Sequence, residues 1–377
     1  MFPYRTVVSK ILLIFILLLL ASCAVVPPVS KLPEQYTLTR LDKVSSVSKI
    51  AWHPDSQQYA VSSGGLVVGR IDGPIHRVHS IEPAAIAWSP TGSLLAISDP
   101  DQEQSKIRIL ATDDWRVLAE IELPGQVRDL AWRDDEQLVL ASVHLSYYSF
   151  GGNYKVQLYH WRQNEELVSA TIVDSSPLKS TLDSLGKQIY DTVNLQISPF
   201  RDEVAFTRYS LTPNAGNHYR LVVRNLDTGR ERVVAKITNE TNGGHYFGDG
   251  DSLFYTDGYR QSLAKTIWDT APYEAYPAGL NLEISPGGRY KLIDRQLFKD
   301  RNADFSFDRI DSAAFSPDGS KMLFITDGIL YLLTGLKDIQ PERLPISQRL
   351  LDLRRWRSEE LITPQEFINY VEQMENQ

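Results

Sequence analysis

Along most of the chain, short apolar runs alternate with turns rich in Pro, Asp, Gly and Ser. Residues 312–324, Ser-Ala-Ala-Phe-Ser-Pro-Asp-Gly-Ser-Lys-Met-Leu-Phe, show the unit: an apolar strand, a Ser-Pro-Asp-Gly turn and a second apolar strand. Pro presets φ for a turn, Asp bonds its own backbone, and Gly takes positive φ. The unit recurs. Aligned on the Pro position, it appears at Pro54, Pro90, Asp134, Pro199, Asp249, Pro286, Pro317 and Ser358, at intervals of 31 to 65 residues. Two residues earlier stand Trp52, Trp88, Trp132, Ile197, Phe247, Ile284, Phe315 and Trp356, a column of large apolar side chains. A period in this range predicts a solenoid or propeller.

Within the second unit, strands are predicted at 84–88, 94–98, 106–111 and 116–123; in the fourth, at 203–209, 219–225 and 231–237. Four short antiparallel strands form a blade that cannot bury its two apolar faces alone, so blades must stack around an axis. The fold class is therefore all-β: a single β-propeller over residues 36–362, with eight blades or seven. The alternating segment 36–41 reads as a closing strand that completes an eighth blade begun at Trp356. Residues 363–377 read as a C-terminal helix, with Thr363-Pro364-Gln365-Glu366 as capping box and Phe367, Tyr370, Val371 and Met374 on one face.

Two motifs, Phe315-Ser316-Pro317-Asp318-Gly319 before an apolar strand and Leu226-Asp227-Thr228-Gly229 between two strands, resemble the WD40-like (PD40) repeat of TolB-type β-propellers. The resemblance spans roughly residues 46–362 and implies a propeller. TolB itself carries an α/β domain for which this chain has no room, so TolB partnerships and functional residues are not carried over.

The N-terminus changes the picture. Arg5 and Lys10 precede the apolar run 11–20, which is short for a membrane span, and then comes Leu20-Ala21-Ser22-Cys23. This resembles a bacterial lipoprotein signal with its lipobox: residues 1–22 are removed and Cys23, the single cysteine, carries acyl chains such as palmitate. An uncleaved anchor helix reaching Val26 is the other reading. By the sorting pattern of such lipoproteins, Ala24 after the cysteine implies the outer membrane, with the protein facing the periplasm. Residues 23–35, with Pro27 and Pro28, read as a lipidated, extended tether.

Net charge is −8, which disfavours nucleic acid as a partner. One cysteine excludes a disulfide framework and multi-cysteine metal sites. No nucleophile elbow, His-Glu-x-x-His or phosphate loop is present, and no cofactor is expected apart from calcium. For calcium, Asp300, Asn302, Asp304, Ser306, Asp308 and Asp311 supply oxygens at loop positions 1, 3, 5, 7, 9 and 12, although Phe305 stands where such a loop wants Gly. Surface acids in a connecting loop are the alternative. His76 and His79 fall on opposite faces of a strand and do not share a metal.

The longest interval contains a hairpin around Gly151-Gly152-Asn153, then 176–187 as a short helix. Tyr147, Tyr148 and Tyr154 flank that tip and are candidate binding residues; a tolerated insertion is the other reading. Taken together, the sequence points to an outer-membrane-anchored periplasmic propeller acting as a protein–protein scaffold with envelope protein partners. An envelope enzyme or carbohydrate-binding protein with its site at the central channel is the alternative.

Overall fold

The structure is a computed structural model. It describes residues 28–29, 31–45, 49–99, 104–148, 151–163, 168–178, 196–197, 203–212, 216–237, 245–248, 252–256, 262–266, 274–275, 282–300 and 302–338, with seven helical residues between 354 and 371. The chain opens with β1 (Thr37–Lys43). Blade 1 is β2 (Ile50–Trp52), β3 (Gln58–Ser62), β4 (Leu66–Arg70) and β5 (Ile75–His79). Blade 2 is β6 (Ala85–Trp88), β7 (Leu94–Ser98), β8 (Gln104–Ala111) and β9 (Val117–Pro124). Blade 3 is β10 (Gln126–Trp132), β11 (Gln137–Tyr148), β12 (Gly151–Arg162) and β13 (Val168–Leu178). Blade 4 is β14 (Gln196–Ile197), β15 (Glu203–Thr212), β16 (Gly216–Asn225) and β17 (Glu231–Ile237). Blade 5 is β18 (His245–Gly248), β19 (Ser252–Thr256), β20 (Ser262–Thr266) and β21 (Glu274–Ala275). Blade 6 is β22 (Leu282–Ile284), β23 (Tyr290–Ile293), β24 (Gln296–Lys299) and β25 (Asn302–Ser306). Blade 7 begins with β26 (Ser312–Phe315), β27 (Lys321–Thr326) and β28 (Ile329–Thr334), and β1 completes it.

Among the described residues, then, seven four-stranded sheets stand in a ring. Each innermost strand neighbours the next, and β26 neighbours β2, which closes the circle. The N-terminal strand does close the propeller, but on the seventh blade and not on an eighth: Thr37 pairs with Thr334 and Lys43 with Ile329. Trp356 lies outside the described residues, and its neighbours Arg354 and Arg357 are helical. The apolar β28 needs a partner on its outer edge, and β1 supplies it. Blade 6 fits its tight interval because its strands are short and its connections at 294–295 and 300–301 have two residues each, with Asp294 and Asp300 at φ 56° and 54°. Asp tolerates that left-handed conformation better than most residues.

The core lies between blades. One apolar cluster joins Ala96, Ile107 and Leu123 of blade 2 to Leu130, Trp132 and Leu140 of blade 3. Another joins Leu323, Ile325 and Leu332 of blade 7 to Trp52, Tyr59 and Val61 of blade 1. The column tryptophans add a directional contact to this packing. Trp52 Nε1 donates to Ala314 O at 2.9 Å, Trp88 Nε1 to Ala51 O at 3.1 Å, and Trp132 Nε1 to Ala87 O at 3.0 Å. Each indole thus bonds the carbonyl just before the column residue of the preceding blade.

The repeated turn has one construction. The N–H of Ser89, Ser285 and Ser316 donates to the carbonyl of Leu94, Tyr290 and Lys321, each at 2.9 Å. Their hydroxyls accept the N–H of the same three residues at 3.1, 2.9 and 3.0 Å. Gly92, Gly288 and Gly319 hold φ at 78°, 74° and 65°, where a side chain would be strained. The turns also interlock around the ring: Asp318 N–H donates to Ser56 Oγ at 3.0 Å, and Thr91 N–H to Asp135 Oδ1 at 3.2 Å. We call this side of the disc, with the first-to-second and third-to-fourth strand turns, the turn face. The opposite side, with the second-to-third turns and the blade-to-blade connections, is the crossover face.

The segment read as a tether is packed from Pro28 onward. Val29 is 5% exposed and Tyr36 4%, and both join the cluster between blades 6 and 7 with Phe305, Phe307 and Phe324. The Tyr36 hydroxyl donates to Asp304, and Asp308 N–H donates to Pro28 O at 2.9 Å. Burial, then that bond, raises the Tyr36 hydroxyl above its usual range. Because β25 runs from the turn face to the crossover face, Pro28 beside Asp308 lies at the crossover face and Tyr36 near the turn face. Pro28, the first described residue, therefore lies on the crossover side of the blade 6–7 boundary.

Two expectations follow. Trp52→Phe leaves the Ala314 carbonyl without its donor and should cost about 1–2 kcal/mol, read as a lower urea midpoint; an unchanged midpoint would show that the indole N–H adds nothing at the seam. Burial would raise the pKa of Asp318, but hydrogen bonds from Ser316, Ser320 and Lys321 outweigh it and hold it at about 2; those from Gln57, Gln58 and His53 do the same for Asp55. A depressed carboxylate contributes its full stability above the unfolded value of 3.8 and loses it as pH falls through about 2. The melting temperature should therefore fall below about pH 4, and Asp318→Ala, at a cost of about 1 kcal/mol at neutral pH, should flatten that fall.

Candidate interaction surface

The crossover face is uneven because two blades overgrow it. β11 and β12 have 12 residues each where β3 and β4 have 5. At about 3.3 Å per residue, the blade 3 hairpin reaches about 23 Å further. Its register is unbroken from Gln137 opposite Arg162 to Tyr148 opposite Gly151, and β13 follows it outward to Leu178, opposite Gly152. The hairpin expected around Gly151-Gly152 is therefore present. Ser176 to Leu178, expected as the start of a short helix, belong to β13, because β12 offers them a ladder edge; residues 179–187 lie outside the described residues.

Pairing sorts the three tyrosines. Val143, Leu145 and Tyr147 share one sheet face with Val156, Tyr154 and Gly152, their direct partners. Tyr147 and Tyr154 thus occupy diagonal positions on one face. Tyr148 falls on the other face, with Ser146 and His144.

Blade 4 carries a second overgrown hairpin that strand prediction ended early, at Tyr209 and Tyr219. The strands run on to Thr212 and back from Gly216, with Leu211 opposite Asn217. Arg208 stands directly opposite Arg220, and Arg220 opposite Lys236 of β17. Three basic residues therefore occupy directly paired positions on adjacent strands. The available signal was the alternation in Thr-Arg-Tyr-Ser-Leu-Thr and Gly-Asn-His-Tyr-Arg-Leu.

The structure distributes the calcium stretch over a strand and the segments beside it. Asn302 to Ser306 form β25 and not a loop; Asp304 is engaged by Tyr36. Asp300 takes the left-handed turn position and pairs with Arg289 at 3.4 Å. Asp311 Oδ2 accepts from Asp327 N–H at 3.0 Å, and its Oδ1 meets Arg309 Nε at 2.7 Å. Asp308 is exposed at the crossover face, beside Pro28. Among the described residues no group of three His, Cys, Asp or Glu side chains could hold a metal. His53 is instead wedged against Gly92, with Nε2 3.3 Å from its carbonyl.

Among the described residues, a cluster of ion pairs lies on blade 2. Arg108 meets Asp99 at 2.5 Å and Glu120 at 2.9 Å, while Lys106 meets Glu122 at 3.3 Å. Arg108 pairs with Glu120, and Lys106 with Glu122, across β8 and β9. Burial, then the charge of Arg108, lowers the pKa of His79 nearby. Opposite charges at paired positions stabilise a sheet, and here they satisfy one another. Cys23 lies outside the described residues.

No family model matches the chain, and no curated protein sequence does. Solved structures do. The β-propeller domain of Cps50 (Swd1) from Myceliophteria thermophila superposes with a TM-score of 0.55 at 10% identity, covering 79% of this chain and 99% of that one. Hydrazine synthase of Kuenenia stuttgartiensis does so with a TM-score of 0.51 at 11% identity, covering 78% and 95%. At such identities the likeness shows the fold, a β-propeller.

Proposed function

We propose that this chain is an outer-membrane lipoprotein whose periplasmic propeller is a rigid scaffold for envelope proteins. The observation that carries the reading is the packing of Pro28 to Tyr36 between blades 6 and 7. Only four residues separate Cys23 from Pro28, so the extended chain between them reaches about 18 Å at most. An acyl group on Cys23 would hold the disc close to the bilayer and fix which side meets it, as suits a platform more than a freely swinging domain. The PD40-like character of the repeat supports a propeller built for binding over broad faces. Residues 1–22 act as the signal peptide in this reading, and two or more acyl chains give stable anchoring where one does not.

Replacing Cys23 by Ser should abolish incorporation of labelled palmitate and move the protein out of the outer-membrane fraction; retention of both in the variant would overturn the anchor. For the scaffold, crosslinking of intact envelopes followed by mass spectrometry should return the same protein partners in independent preparations. A crosslinked population containing only lipid and self contacts would rule out that role.

A further inference from the structure

A short stretch of blade 2, Trp115 to Leu118, breaks the pattern of the repeat. The turn between β8 and β9 is built like the one between β16 and β17: Ala111 N–H donates to Arg116 O at 2.9 Å, as Asn225 N–H does to Arg230 O. The left-handed position that Gly229 fills there at φ 70° is held here by Trp115 at φ 61°. For a bulky side chain that conformation is an outlier. The Trp115 ring lies 6.1 Å from Trp88, edge to face, over the boundary of blades 1 and 2, and its N–H bonds no described residue. Val117 and Leu118 follow, 39% and 44% exposed; among the described residues the only other large apolar side chain so exposed is Ile368. Leu118 is also the extra residue of a bulge, since Val117 pairs with Leu110 and Ala119 with Ile109. Bulges re-aim side chains and gather beside functional sites.

The strand that follows is an open edge. β9 is the outermost strand of its sheet, with β8 as its ladder partner. Ala119, Ile121 and Leu123 pack toward blade 3, while Glu120 and Glu122 stay about half exposed on the other face. At 8 residues β9 is longer than the outer strands β1, β5 and β25, of 7, 5 and 5. Blade 6 shows what such an edge can hold. The chain's own segment 28–36 lies beside β25, through Asp308 N–H to Pro28 O and the Tyr36 hydroxyl to Asp304.

Charge selects the occupant. Around this edge stand Asp99, Asp113, Asp114, Glu120 and Glu122 against Lys106, Arg108 and Arg116, an excess of two acids. A second copy of this chain laid along β9 would set like charges against one another, which destabilises a sheet, whereas a strand carrying Lys or Arg would not. We infer that the outer edge of blade 2 takes an extended segment of a partner protein as a fifth strand. An apolar side chain of that segment sits on Trp115, Val117 and Leu118, and basic side chains at alternate positions face Glu120 and Glu122. Added strands bind through main-chain hydrogen bonds and take their specificity from alternate side chains. The left-handed Trp115 and the bulge then form an apolar seat where a glycine turn and a regular ladder would leave a plain edge. The inference rests on the scaffold reading and names one surface of it.

The test is photocrosslinking in intact cells that produce the full chain, with benzoylphenylalanine in place of Leu118, Glu120 or Glu122, and in place of His76 on β5 as the comparison position. One partner peptide bearing Lys or Arg should be captured from all three β9 positions. Its attachment point should move by two residues for each step of two along β9, as paired strands require. In Glu120→Gln/Glu122→Gln, capture at Leu118 should fall about tenfold. Attachment to a second copy of this chain would overturn the proposal. So would attachment points that do not step, a captured peptide without a basic residue, or capture at Leu118 no greater than at His76. The stepping is read from chains with one replacement each, so it decides the matter even if the Gln variant does not fold. Reproducible envelope partners of the unaltered chain without a stepped adduct at β9 remove this edge and keep the scaffold, whereas the absence of both removes the scaffold with it.

Discussion

Every contact between blades in this molecule presupposes that β1 stays paired with β28. Without that ladder, blade 7 has three strands, the outer edge of β28 is open, and the apolar cluster of Leu323, Ile325 and Leu332 has lost its cover beside blade 1. The seam is reinforced at several heights. Trp52 reaches across it to Ala314, Ser56 accepts from Asp318 on the turn face, and Val44 N–H donates to Gly328 O at the crossover face. The Pro28–Tyr36 segment then wedges the neighbouring boundary. The indole bonds of Trp88 and Trp132 carry the same restraint round to blade 3. In blades 4 to 7 the column holds Ile197, Phe247, Ile284 and Phe315, whose side chains have no N–H to donate.

Much of this was legible because the column is a periodic property of the sequence. A large apolar residue two positions before each turn position marks the end of an innermost strand to within one residue, and all seven such positions up to Phe315 lie in strands. The eighth match, at Trp356, shows the limit of a pattern: periodicity identifies units, but the partner of a closing strand depends on which edge is free in space. The same limit explains the strand ends of blade 4. Alternation continues through Tyr209 and Leu211 whether or not the hairpin leaves the disc, so only the pairing itself shows where it stops.

The calcium stretch is ambiguous for a related reason. A calcium loop supplies oxygens from alternate residues, and a strand sends alternate residues to one face, so Asn302, Asp304 and Ser306 satisfy both descriptions. What decided between them was Phe305, buried beside Tyr36 and Phe307, which needs a strand's opposite face to reach the core. The tether shows the converse. Its prolines suggest a free tether, but such a segment can also lie in a groove, and burial of Val29 depends on residues some 260 to 300 positions later. The candidate surface was half visible: Tyr147 and Tyr154 stood out at a glycine-rich tip, whereas the row of Arg208, Arg220 and Lys236 exists only once three strands are in register.

The seam also dictates when the molecule can become whole. The two ends of the Trp52 to Ala314 bond lie 262 residues apart in sequence, and β1, the first strand made, waits for β28, almost the last. Local hairpins can form as each blade emerges, since their turns need no distant help. Ring closure cannot, and contacts of such separation carry the loop-closure cost that slows folding. The open disc, with an unpaired β28 edge and a bare blade 7 core, is therefore the species that a folding helper in its compartment would have most reason to shield.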